Sequence, residues 1–127
     1  MPNVRFEMTG ASIVRWQAGD AVVLAVHGAF DGASAWALRL AMEESDAARF
    51  VVDLTHAVEA FEFAASILAN FAREARRTKR VSFLPGTPDH ARLLAGFGLE
   101  MIEDEVEIPI AGPRWSAETD LESGATA

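Results

Sequence analysis

Three histidines, His27, His56 and His90, and one aspartate that closes an apolar run, Asp53, could by type carry proton transfer or bind a metal. His27 and His56 each follow an apolar run of buried-strand character, so a fold could bring them together. No carboxylate pattern accompanies them, and a lone histidine at a strand end is ordinarily a hydrogen-bonded structural residue. Asp53 is placed to bond the backbone of the loop after it, as aspartates in turns do. The chain has no cysteine, which removes disulfides, thiolate metal sites and cysteine nucleophiles together. Gly-x-Ser-x-Gly, a phosphate-binding loop and Gly-x-Gly-x-x-Gly are absent, and Gly96-Phe97-Gly98 ends a helical pattern instead of opening one. No nucleophile, base and orienting group form a set. The expectation is a protein without catalytic residues, metal or cofactor.

The elements that must position these residues come from a chain of 127 residues, room for one domain at about 150 residues each. Half the residues are hydrophobic and 24% are charged, a globular composition. The first residues lack a basic region followed by a long apolar run, and no apolar segment approaches the roughly 18 residues of a membrane helix. The expectation is a cytoplasmic domain with no membrane insertion. Residues 1–99 hold 11 acids against 10 bases, whereas residues 100–127 hold 8 acids against Arg114 alone. Such a segment is repelled by phosphate backbones and anionic lipid, which argues against nucleic acid as a partner. It is expected to act as a solvated tail.

Residues 4–8 and 12–17 alternate in the period-two manner of half-exposed strands, and Ala18-Gly19-Asp20 is a turn. Ala21 to Val26 is an unbroken apolar run, which suits a strand covered on both faces, followed by a loop from His27 to Gly32. Ala33 to Glu44 is expected to be a helix with Ala33, Trp36, Ala37, Leu40 and Ala41 on its inner stripe. Phe50 to Leu54 is a second buried strand, and Thr55 to Val58 leaves it as a loop. A longer helix spans Phe61 to Arg77, with Ala64, Ile67, Leu68, Phe71 and Ala75 inward. Arg73, Arg76, Arg77, Lys79 and Arg80 crowd its carboxyl end, where cations complement the helix dipole. Val81 to Leu84 is a third buried strand. Thr87 caps a helix with Pro88 at its first position, running to Ala95 and stopping at Gly96. Glu105 to Ile110 can form a last strand. Residues 1–112 are read as one domain and 113–127 as an acidic, flexible tail, with Leu121 to Ala127 disordered.

Strands that alternate with helices imply parallel pairs joined by helical crossovers, with functional loops at the carboxyl ends of the strands. Those loops are His27–Gly32, Thr55–Ala60 and Pro85–Thr87.

Three segments together resemble a STAS domain, the fold of anti-sigma factor antagonists and of sulfate-transporter cytoplasmic tails. The first is Val22-Val-Leu-Ala-Val-His-Gly-Ala-Phe-Asp31 with the alanine-rich helix that follows. The second is Phe50-Val-Val-Asp-Leu-Thr55, similar to a strand ending in Asp-Leu-Ser. The third is Val81-Ser-Phe-Leu-Pro-Gly-Thr-Pro88 through the Leu-rich stretch that closes on Gly98-Leu99. The likeness covers about residues 10–110. It implies an α/β fold, a STAS-like mixed sheet of about five strands with three to four helices.

The switch of that family is an Asp-Ser-Ser-Gly-Leu-Gly run at the start of the second helix, phosphorylated on its first serine. A gapless count from Asp53 puts Phe61, Glu62, Phe63, Ala64, Ala65 and Ser66 on those six positions. Glu62 therefore stands where the phosphoserine would be, and the serine switch is lost. A carboxylate in a first helical turn suits the dipole, and it partly substitutes for a phosphoserine with about half its charge. Residues two apart on a helix cannot both enter one core, so one of Phe61 and Phe63 is expected to pack inward and the other to face a partner.

The resemblance implies a non-enzymatic regulatory domain of bacterial signalling that binds a kinase-type anti-sigma factor. Asp31, His56, Phe61, Glu62 and Phe63 are the partner-binding candidates. A STAS subunit of a membrane transporter complex, such as a lipid-transport system, is the alternative the family offers. An enzymatic or small-molecule-binding α/β domain ranks last, and a homodimer is left open.

Overall fold

The computed structural model describes residues 4–8 and 11–102. Three strands open the chain as an antiparallel meander: β1 (Val4–Met8), β2 (Ala11–Ala18) and β3 (Ala21–Phe30). The β2–β3 turn has two residues, Gly19-Asp20, with Ala18 opposite Ala21. Gly19 holds φ +63°, a conformation open to glycine at little cost. The rest alternates helix and strand: α1 (Gly32–Glu44), β4 (Arg49–Asp53), β5 (Ala57–Ala60), α2 (Glu62–Glu74), β6 (Arg80–Leu84), α3 (Pro88–Gly96) and β7 (Glu100–Met101).

The seven strands form one sheet in the order β1-β2-β3-β4-β6-β7, with β5 also on β3. The β3–β4, β4–β6 and β6–β7 pairs are parallel, so the sheet is mixed. The mixed sheet is as expected, with two short strands beyond the approximate five, and the described residues form three helices. The two additions are short and were not legible locally. β5 falls where a loop was expected, because Gly28, Ala29 and Phe30 pair with Ala57, Glu59 and Ala60 far along the chain. The strand expected at 105–110 and the tail from 113 lie outside the described residues.

β3 is the central lane. Val22, Val23, Leu24, Ala25 and Val26 are at most 2% exposed, as their unbroken apolar run implied. The strand does not stop at His27. It runs on to Phe30 because β2 pairs its residues His27 and Gly28 on one side and β5 pairs it on the other. Alternation along the strands sorts the interior into two layers. Val22, Leu24, Val26, Phe50, Val52, Val81 and Phe83 join the buried faces of the helices in the main core. Val14, Trp16, Val23, Ala25, Val51, Leu84 and Ile102 form a smaller cluster on the other face.

α1 is rotated from its expected face: Ala37 and Ala41 pack against the core as expected, and the other three residues of the stripe do not. Ala35, Leu38 and Met42 are fully buried, while Trp36 and Leu40 are half exposed and Ala33 is exposed. Apolar residues lie on more than one side of this helix, so periodicity alone allowed two stripes. The sheet beneath decides which one is covered.

α2 buries Ala64, Ile67, Leu68 and Phe71 as expected but ends at Glu74, not Arg77. Lys79 explains the stop. Its ammonium donates to the carbonyls of Ser45 (2.7 Å) and Ala47 (3.2 Å) and lies 5.5 Å from the Phe50 ring centroid. That draws the chain back to the α1–β4 connection. Only Arg73 of the basic cluster sits in the last helical turn. α3 starts as expected, with the Thr87 hydroxyl accepting from the His90 amide at 3.0 Å and Pro88 first in the helix.

Candidate functional site

The carboxyl end of β3 gathers the partner-binding candidates. Asp31 follows β3 directly and caps α1. Its Oδ1 accepts from the Ser34 amide (3.0 Å), and its own amide donates to Ser34 Oγ (2.9 Å), a reciprocal box that satisfies two otherwise free donors. The Ser34 hydroxyl, fully buried, donates back to the Ala29 carbonyl (2.9 Å), which fixes the β3–α1 corner. Asp31 thus has a structural task whatever it touches besides.

Asp53 makes the loop bond expected of it. Buried to 5% exposure, its Oδ1 accepts from the Thr55 amide (2.9 Å) and hydroxyl (2.6 Å). This turn moves the chain from the β4 position to the β5 position along one edge of β3. It also carries His56 outward, where its ring stacks on His27 with centroids 4.6 Å apart and planes 13° from parallel. The two histidines do meet, as flat neighbours. Among the described residues, no group of three or more His, Cys, Asp or Glu side chains could hold a metal ion.

β5 delivers the start of α2 to the same rim. The Phe61 amide donates to the Phe30 carbonyl (3.1 Å), tying the helix start to the last residue of β3. Phe61 takes the cap position in extended conformation without a side-chain cap, and Glu62 is the first helical residue. All three of Phe61, Glu62 and Phe63 are exposed. The expectation that one phenylalanine packs inward fails: Phe61 is 46% and Phe63 65% exposed. The helix lies along the sheet with Ala64 and Ala65 as its first buried residues, so both rings precede the covered part. Phe63 instead leans across to α1 and lies over Gly32. Ser66, the next hydroxyl along α2, sits a turn inside the helix and donates to the Phe63 carbonyl at 2.7 Å.

Asp31, Phe61, Glu62 and Phe63 are therefore neighbours around one corner, whereas His56 stands apart from it, before β5 and against His27. The segments that build the corner, 27–34 and 55–66, contain Asp31, Glu59 and Glu62 and no lysine or arginine. The rim is acidic, and its apolar parts are exposed aromatics. Trp36 and Leu40 extend the exposed apolar surface along α1. Sequence reading placed them in the core. The one available signal was a tryptophan in a helix that already had Ala35, Leu38 and Met42 at helical spacing.

No helix of the described residues is long and apolar enough to cross a membrane. No family model matches the chain, and no curated protein matches it. Solved structures do match. An anti-sigma factor antagonist from Mycobacterium paratuberculosis superposes with a TM-score of 0.59 at 16% identity, covering 80% of this chain and 93% of that one. A serine-to-glutamate variant of RsbS from Moorella thermoacetica gives 0.56 at 16% identity, over 72% of this chain and 86% of that one. SpoIIAA, an anti-sigma factor antagonist, in its unphosphorylated form gives 0.54 at 15% identity, over 83% and 91%. The mixed sheet with its helices is the STAS-like fold of the anti-sigma factor antagonists.

Proposed function

We propose that this chain is a non-enzymatic regulatory domain that binds a kinase-type anti-sigma factor, or a closely related protein partner, in the cytoplasm and without the serine phosphoswitch. One observation carries the reading. Glu62 stands exposed at the first position of α2, where the count from Asp53 puts the phosphorylatable serine, between the exposed rings of Phe61 and Phe63. A carboxylate there faces the free amides of the first turn and is favoured by about 0.3–1 kcal/mol. It gives a constant negative charge where a switchable domain would alternate between hydroxyl and phosphate.

Calorimetric titration of the full chain with a purified kinase-type anti-sigma factor tests this. If Glu62 imitates the phosphorylated state, Glu62→Ser strengthens binding and Glu62→Gln does so in part. If the carboxylate contacts the partner, both changes weaken binding by about 1–3 kcal/mol. No binding by the wild-type chain overturns the proposal, and so does stoichiometric transfer of labelled phosphate from ATP to residues 60–66.

A further inference from the structure

The described helices cover one face of the sheet, yet both faces are buried. Strands β3, β4, β6 and β7 step across the sheet in one direction, so right-handed crossovers put α1, α2 and α3 on the same side. Leu38, Leu68 and Leu94, one from each helix, accordingly all lie in the main core. The opposite face carries Val14, Trp16, Val23, Ala25, Val51, Leu84 and Ile102. In its middle Val23, Ala25 and Val51 are at most 1% exposed, and Trp16 is 4% exposed. Side chains on a bare sheet face stand in water, so burial this complete needs a second layer about 10 Å above the first. Among the described residues no helix or strand supplies that layer. The burial is that of one chain by itself, so neither a partner nor a second copy accounts for it.

Reach narrows the choice among the remaining residues. Thr9 and Gly10 lie between Met8 and Ala11, which pair with each other. Residues 1–3 adjoin the edge strand β1 and span at most about 10 Å, whereas Leu84 on β6 is four lanes, about 19 Å, away. Residues 103–110 start from Ile102, itself in the buried cluster, and span about 26 Å when extended, enough to cross the four lanes from β7 to Trp16 on β2. Their sequence fits the task. Val106, Ile108 and Ile110 alternate with Glu105, Glu107 and Pro109, so an extended segment has one apolar and one polar edge. Pro109 lacks the amide that an interior strand donates to its ladder, but a segment that packs by side chains does without it. We infer that residues 105–110 dock in cis across the helix-free face, Val106, Ile108 and Ile110 against Trp16, Val23 and Val51, with Glu105 and Glu107 toward solvent. Such a strap closes an apolar surface that would otherwise be open to other proteins, whatever binds the rim at Phe61–Phe63.

The test is NMR on the full chain with labelled valine and isoleucine methyl groups. Cross-relaxation is expected between the methyls of Val106, Ile108 and Ile110 and those of Val23 and Val51. In a mixture of labelled and unlabelled chains these contacts stay within one molecule. Thermal unfolding gives a second reading. Ile108→Ser/Ile110→Ser is expected to lower the midpoint by about 4 °C or more and to raise the binding of an apolar dye. Glu105→Gln/Glu107→Gln changes the midpoint little, since its side chains face water. Absence of the cross-relaxation overturns the inference, as do contacts of the three methyls with any other surface. Contact between copies in the mixed sample assigns the face to a second chain and also overturns it. So does an unchanged midpoint and dye binding in Ile108→Ser/Ile110→Ser, or an equal drop in both double variants.

Discussion

The ring of Phe63 lies so close over Gly32 that a β-carbon at Gly32 would stand 3.0 Å from its Cδ2 and Cε2 atoms. This contact joins the first turns of α1 and α2. Phe63 is mostly exposed, so its ring can swing away. Gly32→Ala is therefore expected to keep or raise stability, by up to about 1 kcal/mol from helix propensity. The ring is displaced in the same variant. Thermal unfolding together with partner titration checks this: stability holds while affinity drops.

Gly86 has no such freedom. A β-carbon there would meet the Leu54 carbonyl oxygen at 2.5 Å and the Thr55 α-carbon at 2.9 Å, both backbone atoms. Gly86→Ala must push the β6–α3 turn off the end of β4. The expected cost is about 1–3 kcal/mol, read from denaturant midpoints. A neutral result would mean that the two loops are not held together as described.

Asp31 allows its two roles to be separated. Asp31→Ala removes the acceptor for the Ser34 amide and should cost about 1 kcal/mol. Asp31→Asn and Asp31→Ser keep a capping oxygen and should restore most of that stability. If partner affinity stays low in the Asn and Ser variants, the carboxylate itself makes the contact. If it returns with stability, Asp31 only shapes the corner.

Arg80 donates to both carboxylate oxygens of Glu100 and joins β6 to β7. These hydrogen bonds, against a smaller opposing effect of burial, hold the Glu100 carboxyl below its ordinary value of 4.5. A group lowered on folding stabilises the protein above its unfolded pKa and loses that contribution as pH falls through the folded value. The pair is largely exposed, so its contribution is about 0.2–1 kcal/mol. Glu100→Gln should lower stability at pH 7 by that amount and by progressively less as pH falls below 4.5 through the folded value, as denaturation across that acid range will show.

How legible the molecule was depends on the range of the forces involved. Val22 to Val26 announced a doubly covered strand because burial on both faces writes itself into every residue. The α3 start was equally plain, since Thr87 and Pro88 act within one turn. β5 was not, because Ala57 to Ala60 becomes a strand only through β3, some thirty residues earlier. The α1 face was legible only in part for a related reason: a helix with apolar residues on more than one side does not encode which stripe the sheet will cover. At the site, Glu62 could be placed by counting from Asp53. The reach of Phe63 to Gly32 depends on how two helices pack and leaves no mark on either segment.

β4 and β5 occupy one edge of β3 in succession, β4 along Val22–Ala25 and β5 along Gly28–Phe30. The second ladder has three register pairs and can open while the first stays closed. Native-state amide exchange should therefore split this one strand, with the protons of Val22–Ala25 surviving to global unfolding and those of β5 lost through a cheaper local opening. The start of α2 hangs on that weaker ladder through the Phe61–Phe30 bond. A partner that grips the rim would then register far from its own contacts, as slowed exchange along Ala57–Ala60.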